Sequence, residues 1–121
     1  MRPVFAALLL VACVPAPSEL CRRGVELECQ RQFECQSDAV KASEGFRGGY
    51  GVSVDGCITQ LSLQAHCEMK ASEDELCTGE NAGKTFDLGS ASACSGDKKA
   101  QSCADFLDPA KTPASCNQRC K

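Results

Sequence analysis

Eleven of the 121 residues are cysteine, at positions 13, 21, 29, 35, 57, 67, 77, 94, 103, 116 and 120. That density belongs to disulfide scaffolds and to an oxidising compartment, because cytosolic thiols are kept reduced. It also answers a deficit. The chain has no Trp, one Tyr and five Phe, so it can bury only a modest apolar core and must lean on covalent cross-links. A bridge closing a loop of tens of residues contributes roughly 2–4 kcal/mol, mostly by restricting the unfolded chain. An odd count in an exported chain leaves one thiol to explain.

The N-terminal residues offer an explanation. Arg2 supplies one positive charge, and Val4 to Ala12 form an uncharged apolar run of nine residues. Such a run is too short to span a bilayer as a helix but has the length of a signal-peptide core. It ends in Leu10-Val11-Ala12-Cys13, which has the form of a bacterial lipobox. The thiolate of Cys13 would take the lipid as a thioether, and the small Ala12 would precede the cleaved bond. Ordinary signal cleavage after Ala16 would instead put Pro17 next to the cut, a poor arrangement. With Cys13 lipidated, Cys21, Cys29, Cys35, Cys57, Cys67, Cys77, Cys94, Cys103, Cys116 and Cys120 remain, an even set for five disulfides. The expected organisation is a signal peptide over 1–12, a Pro-containing tether over 13–20 and one Cys-rich helical domain over 21–121.

The rest of the chain predicts a small, disulfide-rich, mostly α fold of four to five short helices. Val25, Cys29, Phe33 and Val40 recur at helical spacing within a segment from Glu19 to about Ser43. The glycines of Gly45 to Gly51 are expected to break it. Ser53 suits the N-cap of a second helix carrying Ile58, Leu61 and Ala65 toward Met69. Ser72-Glu73-Asp74-Glu75 has the form of a capping box for a third helix ending near Gly79, followed by a loop from Asn81 to Phe86. Asp87 is expected to cap a fourth helix, interrupted at Ser95-Gly96-Asp97 and resuming through Phe106. Cys116 and Cys120 read as an i, i+4 pair on a last helical turn. The nearest candidate for a strand, Tyr50 to Val54, is weak. Helical rise places Cys29 and Cys35 about 9 Å apart, beyond disulfide reach, and Cys57 and Cys67 farther still. Most bridges must therefore join different helices, though many pairings stay open.

The order of Cys29 and Cys35, Gly49-Tyr50-Gly51 before Cys57, then Cys67, Cys77 and Cys94, and Cys103-Ala-Asp-Phe106 leading to Pro113-Ala-Ser-Cys116, resembles the cysteine-rich lipoproteins abundant in myxobacteria and their relatives. The resemblance covers most of the chain after Glu26. It implies an exported, lipid-anchored, small helical domain and carries over no activity and no catalytic residue.

Chemical sites are sparse. His66 is the sole histidine, and no positioned nucleophile or orienting acid accompanies it in the sequence. No C-x-x-C occurs, which removes zinc-ribbon and thioredoxin-like spacings; Cys116 and Cys120 could seat a metal only in a reducing compartment. The even spacing of Cys57, Cys67 and Cys77 is reminiscent of paired-cysteine helical hairpins, but Ser72 and Gly79 interrupt the second helix that these need. Glu73-Asp74-Glu75 lacks the calcium-loop pattern and suits a helix N-terminus. Phe46, Arg47 and Tyr50, set among glycines, form the one segment with the look of a binding loop; its alternative is a structural turn whose Tyr50 packs on the next helix. Thirteen basic against sixteen acidic residues, a net charge of −3, give nucleic-acid binding no support.

These readings converge on a non-enzymatic lipoprotein with no cofactor and no metal, held to the membrane through Cys13. It would serve as an envelope or cell-surface binding or structural protein with a protein or envelope ligand. Val14 is not the Asp that commonly retains such proteins at the inner membrane, which points to the outer membrane of a bacterial envelope. The alternatives are simple secretion and a secreted enzyme or enzyme inhibitor without a recognisable motif.

Overall fold

The first helix, α1 (Pro17–Cys35), is the spine on which the other elements are fastened. The computed structural model describes residues 14–121; the residues read as a signal peptide, 1–12, and Cys13 lie outside them. After α1 come α2 (Asp38–Lys41), α3 (Glu44–Tyr50), α4 (Val54–Gln64), α5 (Leu88–Ala100), α6 (Cys103–Leu107) and α7 (Ala114–Asn117). Four single 3-10 turns, at Cys67–Met69, Glu73–Leu76, Gly79–Asn81 and Pro109–Lys111, fill the connections. Among the described residues the only extended pairing is an antiparallel bridge between Phe86 and Cys120. The fold is small, disulfide-rich and mostly α.

Hydroxyl and carboxylate caps start most of the helices. Ser37, Ser43, Ser53, Asp87 and Ser102 each accept the backbone N–H of the residue three positions on, satisfying a donor that the first helical turn leaves without a partner. α1 opens differently, with extended Ala16 followed by Pro17 at the first helical position, where the missing N–H costs nothing.

Several boundaries differ from the sequence expectation. Residues 17–20 are the first turn of α1 rather than tether, so the connection to Cys13 is only residues 14–16. The long helix to Ser43 stops at Cys35, because Gln36 turns extended and Ser37 captures the Val40 N–H for a new helix. The segment from Gly45 to Gly51 is not a break: residues 44–50 form α3. Ser43 caps it, Phe46 buries itself against neighbouring rings, and Gln60 Nε2 donates to the carbonyls of Gly48 and Gly49 at 2.8 and 3.3 Å. Tertiary packing thus overrides the poor helix propensity of three glycines. Gly51, at φ 77°, takes the positive-φ extended backbone, open chiefly to glycine, that ends α3.

Tyr50 closes α3 and Val54 opens α4, so no strand lies between them. α4 follows its expected course from Ser53 to Gln64, after which His66 adopts a left-handed backbone, φ 54°, and the stripe toward Met69 continues in a 3-10 turn. The Ser72 box yields only a 3-10 turn: the Ser72 hydroxyl makes no cap, and Glu75 accepts from Ala71 N–H at 2.9 Å. α5 passes uninterrupted through Ser95-Gly96-Asp97. Cys94 is bonded to Cys116, and Asp97 accepts the Ser115 hydroxyl at 2.6 Å, so both sides of Gly96 are held. The real break is at Gln101, where Ser102 caps α6.

The core consists largely of cystine. Cys29, Cys57 and Cys67 are wholly buried, and Cys77, Cys94 and Cys116 nearly so; Phe46 and Arg31 are the only other buried side chains among the described residues. α1 carries three of the five bridges, Cys21–Cys67, Cys29–Cys57 and Cys35–Cys103. The first two pair ascending positions on α1 with descending positions at and just beyond α4, so α4 runs antiparallel to α1. Cys77–Cys120 and Cys94–Cys116 fasten the C-terminal part. Cys116 and Cys120 therefore serve different partners and are not one helical pair: α7 ends at Asn117.

Candidate functional site

The ten cysteines from Cys21 to Cys120 are all oxidised with one another. None offers a thiolate to a metal or a substrate. Their spans of 22 to 68 residues are of the length for which each bridge alone contributes about 3–4.5 kcal/mol in the chain-entropy account. Neither Cys29–Cys35 nor Cys57–Cys67 is formed.

Phe46, Arg47 and Tyr50 do not lie on a loop; all three are on α3. The Phe46 ring meets Phe33 edge-on at 5.2 Å and Tyr50 at 5.0 Å, which fastens α3 to α1. Tyr50 is half-buried, and burial, then the carboxylate charge of Glu28, push its phenol above the ordinary range. Arg47 alone of the three is exposed. The acidic triplet is divided among structural duties, with Asp74 accepting from Phe86 N–H at 2.9 Å and Glu75 from Ala71 N–H.

Arg31 had no signal in the sequence, where an arginine within a polar stretch of helix reads as solvated. In the structure it is buried. One guanidinium nitrogen donates to Glu34 at 2.9 Å and another to the Gln101 carbonyl. The group lies 5.2 Å from the centre of the Phe106 ring, a cation–π contact. Arg31 thus clamps α1 to the α5–α6 junction, close to Cys35–Cys103.

Two concave surfaces stand out among the described residues. A polar cleft of about 240 Å³ lies where α1 faces α5 and α6, lined among others by Glu28, Gln32, Lys98, Asp105 and Phe106. Its charged groups are already engaged in part, since Lys98 faces Glu28 at 3.8 Å. The second is an apolar groove of about 330 Å³ at the C-terminal end of α4, formed chiefly by Ile58, Leu63 and Met69, with Arg22, His66 and Glu68 along it. Leu63 and Met69 are 69% and 75% exposed, a substantial apolar surface left in water. His66 sits here, exposed, and its ionic neighbours Arg22 and Glu68 are bonded to each other. The arrangement has the character of a contact surface: apolar side chains and one ion pair, with the hydroxyl residues Thr59 and Ser62 also on its lining.

At the C-terminal region Asp87 caps α5 and also accepts from Lys121 Nζ at 2.9 Å. The Ser90 N–H, then the lysine, lower its carboxyl to about 2. Among the described residues no helix is long and apolar enough to cross a membrane. No family model, curated protein or solved structure matches the chain.

Proposed function

We propose that the chain is an exported lipoprotein anchored to a bacterial envelope membrane through lipid on Cys13. Its cystine-stapled helical body would act there as a binding or structural protein and not as an enzyme. The observation that carries this reading is the cysteine balance. The ten cysteines from Cys21 to Cys120 satisfy one another in five bridges, so of the eleven only Cys13 is left for other chemistry, and Cys13 is the residue that the lipobox pattern selects. The oxidised body suits an extracytoplasmic compartment, and the resemblance to cysteine-rich lipoproteins of myxobacteria belongs to the same reading. Val14 in place of Asp favours the outer membrane.

A lipoprotein bearing two or three acyl chains, at about 0.8 kcal/mol per buried CH₂, would be held firmly where one chain is marginal. In the native host, Cys13→Ser is expected to abolish acyl labelling and to move the protein from the membrane to the soluble fraction. Unchanged membrane association of Cys13→Ser would overturn the anchor.

A further inference from the structure

We infer that the apolar groove at the end of α4 is the face on which the body rests against the lipid surface, an inference that relies on the Cys13 anchor. The geometry begins with chain reach. Cys13 precedes Pro17 by four residues, at most about 14 Å of extended chain. Pro17 to Cys21 is about 6 Å of helix, and the Cys21 and Cys67 Cα atoms are 5.3 Å apart. A lipid on Cys13 therefore holds Cys67 within about 25 Å of the anchored atom. Cys67 is flanked by His66, Glu68 and Met69, which line the groove.

The distribution of exposed apolar side chains points the same way. Among the described residues, Val14, Val40, Val52, Leu63 and Met69 are the large apolar side chains left exposed. Val14 is on the segment leading from Cys13, and Leu63 and Met69 form the groove, so three of the five gather at the anchored end. Val40 and Val52 stand singly elsewhere. The one carboxylate lining the groove, Glu68, is held by Arg22, and on the same end of α1 Arg23 holds Glu19, so these two carboxylates would approach anionic headgroups already paired. An apolar patch with paired charges beside a lipid anchor fits the interfacial zone of a bilayer, where apolar side chains dip into the acyl boundary. The polar cleft, by contrast, faces the other end of α1, near Cys35, about 21 Å along the helix from Cys21.

The absence of Trp permits a clean test. The lipidated full-length protein carrying Met69→Trp, or Ala104→Trp on α6 as the remote reporter, is reconstituted into phosphatidylethanolamine–phosphatidylglycerol vesicles with brominated acyl chains. Retained disulfide pairing is checked by non-reducing peptide mapping. Co-flotation with the vesicles, with Met69→Trp blue-shifted and quenched several-fold more than Ala104→Trp, is the expected result. Co-flotation with equal quenching at both positions would overturn the docking face and leave the anchor standing. Failure to co-float would overturn both. If Cys13→Ser combined with Met69→Trp still floats and is quenched to the same degree, the face holds and the anchor falls.

Discussion

The α1–α4 pair and the α5–α7 pair are each joined by a near-central cystine, yet they are built of different material. Between α1 and α4 the Cys29–Cys57 bridge is wholly buried, and the Phe33, Phe46 and Tyr50 rings extend the packed layer to α3. Between α5 and α7 the half-cystines Cys94 and Cys116 retain 3% and 7% exposure. α5 reads Leu-Gly-Ser-Ala-Ser-Ala-Cys-Ser-Gly, side chains too small to form a layer. What holds it is polar and covalent. Ser115 donates to Asp97, and Thr85 and Lys121 exchange backbone hydrogen bonds at 2.8 and 2.9 Å. Asp87 caps the helix while binding Lys121. Cross-links thus play two parts in one chain: in the first pair cystine acts as core, and in the second it substitutes for one.

That contrast can be broken by removing the two bridges separately. Their loops are similar, with separations of 28 and 22 residues, so chain entropy alone assigns each about 3.5 kcal/mol. Cys29→Ala with Cys57→Ala also empties a dry interior and is expected to cost about 5 kcal/mol, against about 3–4 kcal/mol for Cys94→Ala with Cys116→Ala. Urea unfolding followed by circular dichroism measures both. Equal losses would erase the distinction. Phe46→Ala comes next, at about 3 kcal/mol, because among the described residues Phe46 is the one large apolar side chain other than cysteine that is buried. A loss below about 1 kcal/mol would mean that α3 is held by Ser43 and Gln60 alone.

The smallest effect belongs to the C-terminal part and is read with pH. The folded-state pKa of Asp87 is depressed from an ordinary 3.8 to about 2. Its stabilising contribution is therefore complete above about pH 4 and lost as pH falls through about 2. Amide exchange at Ser90 should accelerate across that window in the wild type, and this dependence should shrink in Asp87→Asn, which keeps a capping oxygen but cannot titrate. A pH response unchanged by Asp87→Asn would assign it to other carboxylates.

What the sequence made legible was local. Ser53 and Asp87 announced their helices through capping chemistry, and helical rise separated Cys29 from Cys35. Where a distant partner decides the outcome, local signals misled. Three glycines around Phe46 read as a break because Phe33 and Gln60, which hold α3, are remote in sequence. Gly96 read as an interruption because its support comes from Cys116 and Ser115. Three of the five pairings depend on how α1 packs against separate segments, and the other two on how the C-terminal residues return to Cys77 and α5, information that no spacing contains. Arg31 was invisible for the same reason: its partners Gln101 and Phe106 are some seventy residues away. The apolar groove was half legible, since Ile58 and Met69 were on the expected stripe of α4, while its exposure beside Cys21 follows from the Cys21–Cys67 bridge.

The central claim is that cystine replaces an apolar core, and full reduction tests it most directly. With all five bridges reduced and the thiols blocked at neutral pH without denaturant, the helical circular dichroism should largely disappear and no cooperative thermal transition should remain. The half-buried aliphatic side chains and one enclosed Phe cannot offset the chain entropy on their own. A reduced, alkylated protein that keeps its helical spectrum and melts cooperatively would contradict the account.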